Sequence, residues 1–236
     1  MMVTKNPILE ELVAGKRVAL VGPSPHIIGS NIGHVIDSYD VVMRINEIIP
    51  KPDLRSSYGN RTDIMFHNCG TGWMKGLEEK IDDARGEWEK LKLVVCPVIK
   101  ALGEQNDYVS DVVSNFQKVN YSNIPFYWIG VKDYKSLRSL VGVEPNCGIL
   151  AILITLLYEV KELFITGFSF YKQGVGELDV YHEGHWPKSL QKESKYGVGH
   201  SQEHQIRVFK SLCQKDNRLK VDSYLNYVVE NWMEEN

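Results

Sequence analysis

The stretch "VALVGPSPHIIGSNIGHVIDSYDVVMRIN", residues 18–46, decides the fold. A β-branched apolar run leads into a turn rich in glycine and serine, then into a helix-length segment and a second apolar run. Apolar residues at successive positions are typical of strands buried on both faces of a parallel sheet. The stretch therefore predicts a strand, a helix and a second strand parallel to the first.

Five further apolar runs continue this alternation. They are "TDIMFHN" (62–68), "LKLVVCPV" (91–98), "PFYWIG" (125–130), "ELFITGF" (162–168) and "LKVDSY" (219–224). Predicted helices lie at about 28–36, 73–90, 105–118, 133–141, 147–159 and 201–214. The pattern predicts an α/β protein in which residues 1–236 form a single Rossmann-like domain, with a mostly parallel sheet of about seven strands and helices on both faces.

The composition excludes some classes of protein. A net charge of −3 without a long basic run argues against a nucleic-acid partner. The N-terminus lacks the apolar core of a secretion signal, and the longest apolar run, 148–158, is too short to cross a bilayer. Four scattered cysteines fit a reducing compartment. We expect a cytoplasmic protein without a transmembrane segment, and leave peripheral membrane attachment and homo-oligomerisation open.

Polar residues follow several predicted strands, where α/β sheets bind ligands. The turn after the first strand can hold a phosphate through its backbone N–H groups, but it has neither the Gly-x-Gly of a dinucleotide fingerprint nor the Lys of a P-loop. Arg44 and Asn46 end the second strand, where burial without partners is costly. Asn146 is suited to cap the helix that begins at Cys147 and Gly148. A nucleotide site and ordinary turns and caps both remain open at this point.

Four of the seven histidines fall between residues 182 and 204. His182, His185, His200 and His204 have spacings that are compatible with a zinc site, a buried cluster or a catalytic base. The polar, Gly-rich segment of about 171–199 is long for a loop inside a compact domain, so it is expected to be either a functional lid or a disordered segment, and we favour the lid.

Two regions of the chain resemble a known family. "VALVGPS", "GSNIGHVIDSYDVVMRIN" and "YGNRTDIMF" resemble the large sialyl motif of animal-type sialyltransferases, and "EPNCGILAILITLLYEVKELFITGFSFY" resembles their small motif. "GPS" and "GHS" are also similar to bacterial CMP-sialic acid transferases. The resemblance runs in order from about residue 17 to 210. It implies a GT-A-like variant of the Rossmann-like fold and an inverting, metal-independent transfer of sialic acid, or a related 2-keto sugar acid, from a CMP-sugar to a glycan or glycolipid hydroxyl.

The resemblance also implies a substrate site. Asn46 matches an asparagine that contacts the nucleotide end of the donor, and Asn146, Cys147 and Gly148 match the turn that holds the cytidine. The asparagine of the family's first turn is missing, and Ser24 or its backbone is expected to replace that contact.

The implied catalytic residues lie in the last third of the chain. His200 matches the base that takes the acceptor proton, and Tyr171 matches a tyrosine that donates its hydroxyl to the departing phosphate. Tyr181 and His182 fall near a short His/Tyr motif and follow Tyr171, in that order, as candidates for the phosphate contact; His182 is counted among the catalytic residues and Tyr181 among the substrate contacts.

The chain departs from the family pattern at several positions. The first-turn asparagine of the family is replaced by Pro23 in the animal-type alignment and by Val21 in the bacterial alignment. Gln205 stands where animal-type enzymes have a glutamate. Val18 and Val160 occupy the positions of the cysteine pair that joins the two motifs in secretory enzymes. No metal or cofactor is expected. The alternatives left open are a CMP-Kdo-type transferase, a degenerate CMP-sugar-binding protein, zinc at the histidines and a nicotinamide-dependent reductase.

Overall fold

The computed structural model describes residues 3–46, 52–69, 74, 77–79, 81, 84–97, 107–170 and 202–231. The seven predicted strands are present and form one sheet. In chain order they are β1 (Arg17–Val21), β2 (Val41–Ile45), β3 (Ile64–Phe66), β4 (Leu93–Cys96), β5 (Phe126–Trp128), β6 (Glu162–Thr166) and β7 (Leu219–Val221).

The sheet has the order β5-β4-β3-β2-β1-β6-β7, and each neighbouring pair is parallel. The chain builds outward from β1 to β5 and then returns to the other side of β1 with β6 and β7. The strand order therefore reverses between β1 and β6, and the crevice beyond their carboxyl ends is the topological switch point. The predicted α/β class with a seven-stranded parallel sheet is confirmed.

Helices cover both faces of the sheet, as predicted. They are α1 (Pro7–Val13), α2 (Gly33–Asp37), α3 (Arg55–Tyr58), α4 (Arg85–Trp88), α5 (Asp107–Val119), α6 (Val131–Val141), α7 (Cys147–Leu156), α8 (Gln202–Lys215) and α9 (Ser223–Asn231). On one face, Val18 and Leu20 of β1 share the largest core cluster with residues of α1, α6, α7, α8 and α9. On the other face, Ala19 and Met65 belong to two smaller clusters with residues of α2 to α5.

The apolar run at 148–158 forms most of α7, and every residue from Cys147 to Thr155 is buried. This helix lies against the sheet in the largest core cluster, which also contains Val18 and Val160, the two valines at the family's cysteine positions. Within the described part of the chain, no helix combines the length and the apolar character that crossing a bilayer demands.

The helix boundaries that follow β1 differ from the prediction. The helix expected at about 28–36 is replaced by a 3-10 turn at Pro25–Ile27 and by α2, which begins only at Gly33. The left-handed backbone of Gly29 and Asn31, with φ of 82° and 57°, prevents a continuous right-handed helix here.

Helices α1, α3 and α9 were not predicted, although α1 and α9 each have a clear start. Asn6 Oδ1 accepts the N–H of Leu9 at 3.0 Å at the start of α1, and Asp222 Oδ1 accepts the N–H of Leu225 at 2.7 Å at the start of α9. Asparagine and aspartate are among the strongest N-cap residues. These short helices carry too few periodic apolar positions to be recognised without their caps.

Candidate active site

The carboxyl ends of β1 and β6 are in backbone contact at the switch point. The N–H of Gly22 donates to the carbonyl of Thr166 at 2.8 Å, and the N–H of Ser24 donates to the carbonyl of Gly167 at 2.8 Å. A Cβ atom on Gly22 would lie 2.4 Å from the Gly167 oxygen, and a Cβ on Gly167 would lie 2.4 Å from the Gly22 oxygen. Glycine at both positions lets the two strand exits pass at a distance that excludes any side chain.

Asn46 directly follows β2 and has a left-handed backbone with φ of 56°. Its N–H donates to the carbonyl of Phe66 at 2.6 Å, and the residue is 3% exposed. Left-handed residues other than glycine are costly and concentrate at functional sites. The conformation keeps Asn46 at the carboxyl edge of the sheet, one strand away from the exit of β1.

The start of α7 reaches the same edge. Asn146 Oδ1 accepts the N–H of Ile149 at 2.9 Å, so Asn146 is the N-cap that the sequence predicts. Its own N–H donates to Oε1 of the buried Gln205 in α8 at 3.0 Å. A Cβ on Gly148 would lie 2.7 Å from the ring of Phe168, which follows β6. The first turn of α7 is thus held between α8 and the exit of β6.

Two groups join α7 to the neighbouring strand exits. The carbonyl oxygen of Phe66 accepts from Asn46 and lies 3.7 Å from the Cys147 thiol, which donates to it. The ring of Phe168 lies against both Gly148 and the first turn after β1. The structure therefore brings five residues of the predicted substrate site to one edge of the sheet. They are Ser24, Asn46, Asn146, Cys147 and Gly148.

Arg44, which the sequence analysis relates to a site, holds the connection between α3 and β3. Its guanidinium is fully buried and donates to Thr62 Oγ1 at 2.9 Å and to the carbonyls of Tyr58 and Arg61 at 2.7 and 2.8 Å. Burial lowers the pKa of Arg44 to about 10, although Asp37 and other nearby acidic groups oppose that shift. These partners satisfy Nε and Nη2, whereas the buried Nη1 has no hydrogen-bond partner among the described residues.

The predicted catalytic residues fall in one segment. His200, Tyr171 and His182, with Tyr181 and the predicted lid at 171–199, lie outside the described residues. The described chain ends at Phe170, whose ring centroid is 5.1 Å from that of Phe209 in α8, and resumes at Gln202 at the start of α8. Phe170 therefore lies beside α8, the helix that is hydrogen-bonded to the start of α7.

The zinc alternative involves four histidines, of which His204 alone is in the described ranges. Its Cδ2 lies 4.0 Å from the position of a Cβ on Gly142, at the end of α6. Among the residues with described positions, no group of three or more His, Cys, Asp or Glu side chains is arranged to hold a metal ion.

The exit of β3 contributes uncharged groups. His67 is fully buried, and its Nδ1 accepts the N–H of Cys69 at 3.0 Å. Nε2 therefore carries the proton of the neutral ring, and it has no hydrogen-bond partner among the described residues. Burial lowers the pKa of His67 to about 3 and raises the pKa of the Cys69 thiol well above its usual value. Both side chains are consequently neutral at physiological pH.

Two residues at the switch point were not predicted. His26 Nδ1 lies 2.9 Å from Ser24 Oγ, and His26 Nε2 lies 3.2 Å from Asp222 Oδ2. A signal existed for both residues, because His26 shares the turn of Ser24 and Asp222 directly follows β7. Ligands of α/β sheets bind at the carboxyl ends of strands. This tendency points to Asp222 after β7, as it points to Asn46 after β2.

The first part of the chain matches a family model. The model of glycosyltransferase family 29, the sialyltransferases, matches residues 10–101. This range contains β1 to β4 with the exits that carry Ser24 and Asn46. No curated protein matches the sequence.

Solved sialyltransferase structures share the fold. A mammalian sialyltransferase in complex with Gal-beta-1-3GalNAc-ortho-nitrophenol is 18% identical, with 93% of this chain and 74% of that chain covered and a TM-score of 0.57. The monofunctional alpha-2,3-sialyltransferase Cst-I from Campylobacter jejuni is 16% identical, with 96% and 81% covered and a TM-score of 0.59. The sialyltransferase CstII from the same organism, in complex with the substrate analogue CMP-3FNeuAc, is 17% identical, with 87% and 78% covered and a TM-score of 0.51.

At these identities, the likeness to solved structures establishes the fold. The family model adds a match in sequence that includes two of the strand exits at the switch point. The resemblance that the motifs imply is therefore confirmed: the chain is sialyltransferase-like in sequence over residues 10–101 and in fold over most of its length.

Proposed function

We propose that this chain is an inverting, metal-independent glycosyltransferase that moves sialic acid, or a related 2-keto sugar acid, from a CMP-sugar to a hydroxyl of a glycan or glycolipid. The observation that carries the proposal is the meeting of three motif segments at the switch point of a sialyltransferase fold. These segments are the exits of β1 and β2 and the start of α7.

In this proposal the CMP moiety lies across Ser24, Asn46 and the first turn of α7. Gly22 and Gly148 let the exit of β1 and the start of α7 pack closely against the exit of β6, because a Cβ atom at either position would lie 2.7 Å or less from Gly167 or Phe168. His67 and Cys69 at the exit of β3 are neutral, so these two described residues add no charge to this part of the edge. A nucleotide base that is recognised through hydrogen bonds fits such a surface.

The reaction requires a base and a stabilised leaving group. The acceptor oxygen forms a bond to the anomeric carbon as the bond from that carbon to the phosphate oxygen breaks, and CMP leaves with the bonding electron pair. His200 takes the proton of the acceptor hydroxyl, since a histidine side chain titrates close to neutral pH. Tyr171 donates its hydroxyl to the departing phosphate, and Tyr181 and then His182 are the further candidates for that contact.

Metal independence follows from the chemistry of the donor. A CMP-sugar releases a monophosphate, which develops less negative charge than a diphosphate leaving group. Hydrogen-bond donors aimed at the phosphate can stabilise that charge without a divalent cation. We therefore expect CMP-sugar turnover to persist in EDTA, and loss of turnover in EDTA would contradict this part of the proposal.

A ligand panel tests the donor class. CMP and CMP-sugars are expected to raise the melting temperature of the chain, whereas UMP, GMP and NAD leave it unchanged, because a ligand that binds only the folded state stabilises it. Stabilisation by NAD alone would favour the reductase. Comparison of CMP-sialic acid with CMP-Kdo in the same assay separates the two candidate donors.

Turnover tests the catalytic assignment. We expect slow hydrolysis of the preferred CMP-sugar, and we expect His200→Ala to lower the rate about 10²- to 10⁴-fold while CMP affinity is retained. His204→Ala, four residues further along, is the matched control and is expected to keep most of the activity. Undiminished turnover by His200→Ala would contradict the assignment, and CMP binding without any turnover would identify a CMP-sugar-binding protein instead.

A further inference from the structure

Ser24, His26 and Asp222 form a line of hydrogen bonds across the switch point. Ser24 Oγ lies 2.9 Å from His26 Nδ1, and His26 Nε2 lies 3.2 Å from Asp222 Oδ2. The side chains of His26 and Asp222 are 7% and 11% exposed, and Ser24 is 5% exposed. The line joins the exit of β1 to the start of α9 and ends on the hydroxyl of a residue in the proposed donor site.

Asp222 is fixed by several donors. Oδ2 accepts from Thr166 Oγ1 at 2.7 Å and from the N–H of Gly167 at 3.4 Å, while Oδ1 accepts the N–H of Leu225 at 2.7 Å. Burial raises the pKa of Asp222, but hydrogen bonds from His26, Leu225 and Thr166 outweigh it and leave that pKa below its usual value. Asp222 is therefore a carboxylate at neutral pH and can only accept hydrogen bonds.

The imidazole of His26 is held in place by its neighbours. Its ring is stacked on that of Tyr224 with a centroid distance of 4.1 Å and an interplanar angle of 25°. In the described part of the chain, the ionisable groups that contact His26 are Asp222 and Tyr224, both from the start of α9. Burial raises the pKa of Tyr224, so its phenol is neutral. On the side of β1, Tyr58 donates its hydroxyl to the carbonyl of Ser24 at 2.9 Å.

The charge of His26 decides which way the Ser24 hydroxyl points. Because Asp222 only accepts, Nε2 of His26 carries a proton, and in the neutral ring Nδ1 must then be the acceptor. Ser24 donates to that nitrogen and has no proton left for a ligand. When His26 is protonated, Nδ1 becomes a donor to Ser24 Oγ, and the Ser24 proton is released towards any anion at the strand exit.

We propose that His26 and Asp222 are positioning residues for the donor phosphate, and that protonation of His26 turns the Ser24 hydroxyl into a hydrogen-bond donor for that phosphate. The inference rests on the proposed function, because it takes the anion to be the phosphate of CMP or of the CMP-sugar. It adds to that function a coupling between proton uptake and donor binding, carried by His26 and Asp222, two residues to which the motif resemblance assigns no role.

Isothermal titration calorimetry with CMP tests the coupling. The phosphate of CMP itself titrates near pH 6, so the measured quantity is the ratio of the dissociation constant of a variant to that of the wild-type chain. For His26→Gln, this ratio is expected to be about five- to tenfold larger at about pH 6 than at about pH 8. His34→Gln changes an exposed histidine as a matched control and is expected to give a constant ratio.

Two further measurements separate positioning from a merely structural role. In a Ser24→Ala background, His26→Gln is expected to have no additional effect on CMP affinity at either pH, because the hydroxyl that it directs is gone. Titrations in buffers of different ionisation enthalpy are expected to show extra proton uptake on CMP binding by the wild-type chain, and none of this excess in His26→Gln. Cytidine, which lacks the phosphate, is expected to bind all variants with the same pH dependence.

The possible failures are distinct. A ratio for His26→Gln that does not change with pH, or an equal effect of the mutation in the Ser24→Ala background, overturns the inference and leaves the proposed function standing. If His26→Gln is unstable, Asp222→Asn is the second variant, because asparagine can still cap α9. Asp222→Asn is expected to move the pH dependence of CMP affinity to lower pH. Absence of CMP binding by the wild-type chain at every pH contradicts the proposed function and the inference together.

Discussion

Gly22 and Gly167 are the residues whose replacement the backbone cannot accommodate. A methyl group on Gly22 would lie 2.4 Å from the carbonyl oxygen of Gly167, and neither backbone can move without separating β1 from β6. We expect Gly22→Ala to lower the free energy of unfolding by about 1–3 kcal/mol, the usual range for overpacking. Urea denaturation measures this loss.

Gly86 is the matched control for this substitution. It lies in α4 with a backbone φ outside the left-handed range, and a Cβ there meets no atom within 4 Å. Gly86→Ala is expected to be neutral or to stabilise by up to about 1 kcal/mol, because alanine favours a helix. Equal effects at Gly22 and Gly86 would show that the contact between the two strand exits is not rigid.

His67 couples stability to pH. Its pKa in the folded state is about 3, whereas an unfolded chain binds a proton there near pH 6.5. Between those values the unfolded state holds the extra proton, so stability is full above about pH 6.5 and falls as the pH decreases towards 3. The expected loss from this residue between about pH 7 and pH 5 is about 2 kcal/mol.

Denaturation at two pH values isolates the contribution of His67. The His67→Asn variant retains an oxygen that can accept the N–H of Cys69 but does not titrate, so its loss of stability on acidification is expected to be smaller by the same amount. His34→Asn, at an exposed histidine, is expected to behave like the wild-type chain. An identical acid loss in the wild-type chain and in His67→Asn would contradict the assignment.

At the level of elements, two helices begin with the same cap but differ in their surroundings. Asn146 caps α7 at the proposed site, and Asn6 caps α1 through Leu9. We expect Asn146→Ala and Asn6→Ala each to cost about 1 kcal/mol of stability, the usual value of a lost N-cap. Only Asn146→Ala is expected to weaken CMP binding, which calorimetry measures.

A serine at the same position separates capping from binding. Asn146→Ser restores an N-cap hydroxyl and is expected to recover most of the lost stability without recovering CMP affinity. Full recovery of both properties would mean that Asn146 only caps the helix, and that the nucleotide is held by other groups.

The elements that could be predicted are those whose residues carry a local signal. Consecutive apolar residues identify the seven strands, and polar residues at strand exits, together with the motif resemblance, identify Ser24 and Asn46. The pairing of His26 with Asp222 spans 196 positions, and it exists because β7 lies beside β6. Such a contact depends on strand order, which neither periodicity nor a motif specifies. Helix α1 carries a local signal in its N-cap Asn6, but its seven residues bury only Leu9 and Val13, which is too short a pattern to indicate a helix.

For the whole molecule, the order of the strands assembles the site. Four segments form the site: the exits of β1, β2 and β6 and the start of α7. They come from positions between 22 and 168, and they meet because α7 lies across the sheet in the largest core cluster. A ligand at this edge contacts segments that separate when the chain unfolds. Binding should therefore stabilise the entire fold rather than one loop.

The final prediction uses this linkage at Asn46. At a CMP concentration of 100 times the dissociation constant, binding adds about 2.7 kcal/mol, which corresponds to a rise of roughly 5–10 °C in the melting temperature of a chain of this size. Asn46→Gly suits the left-handed backbone, so the ligand-free variant should be at least as stable as the wild-type chain. Without the amide, its rise with CMP at the same concentration should be clearly smaller. An unchanged rise in melting temperature would exclude Asn46 from the nucleotide contact. The variant removes the side chain without straining the left-handed backbone, so a loss of folding would not explain the result.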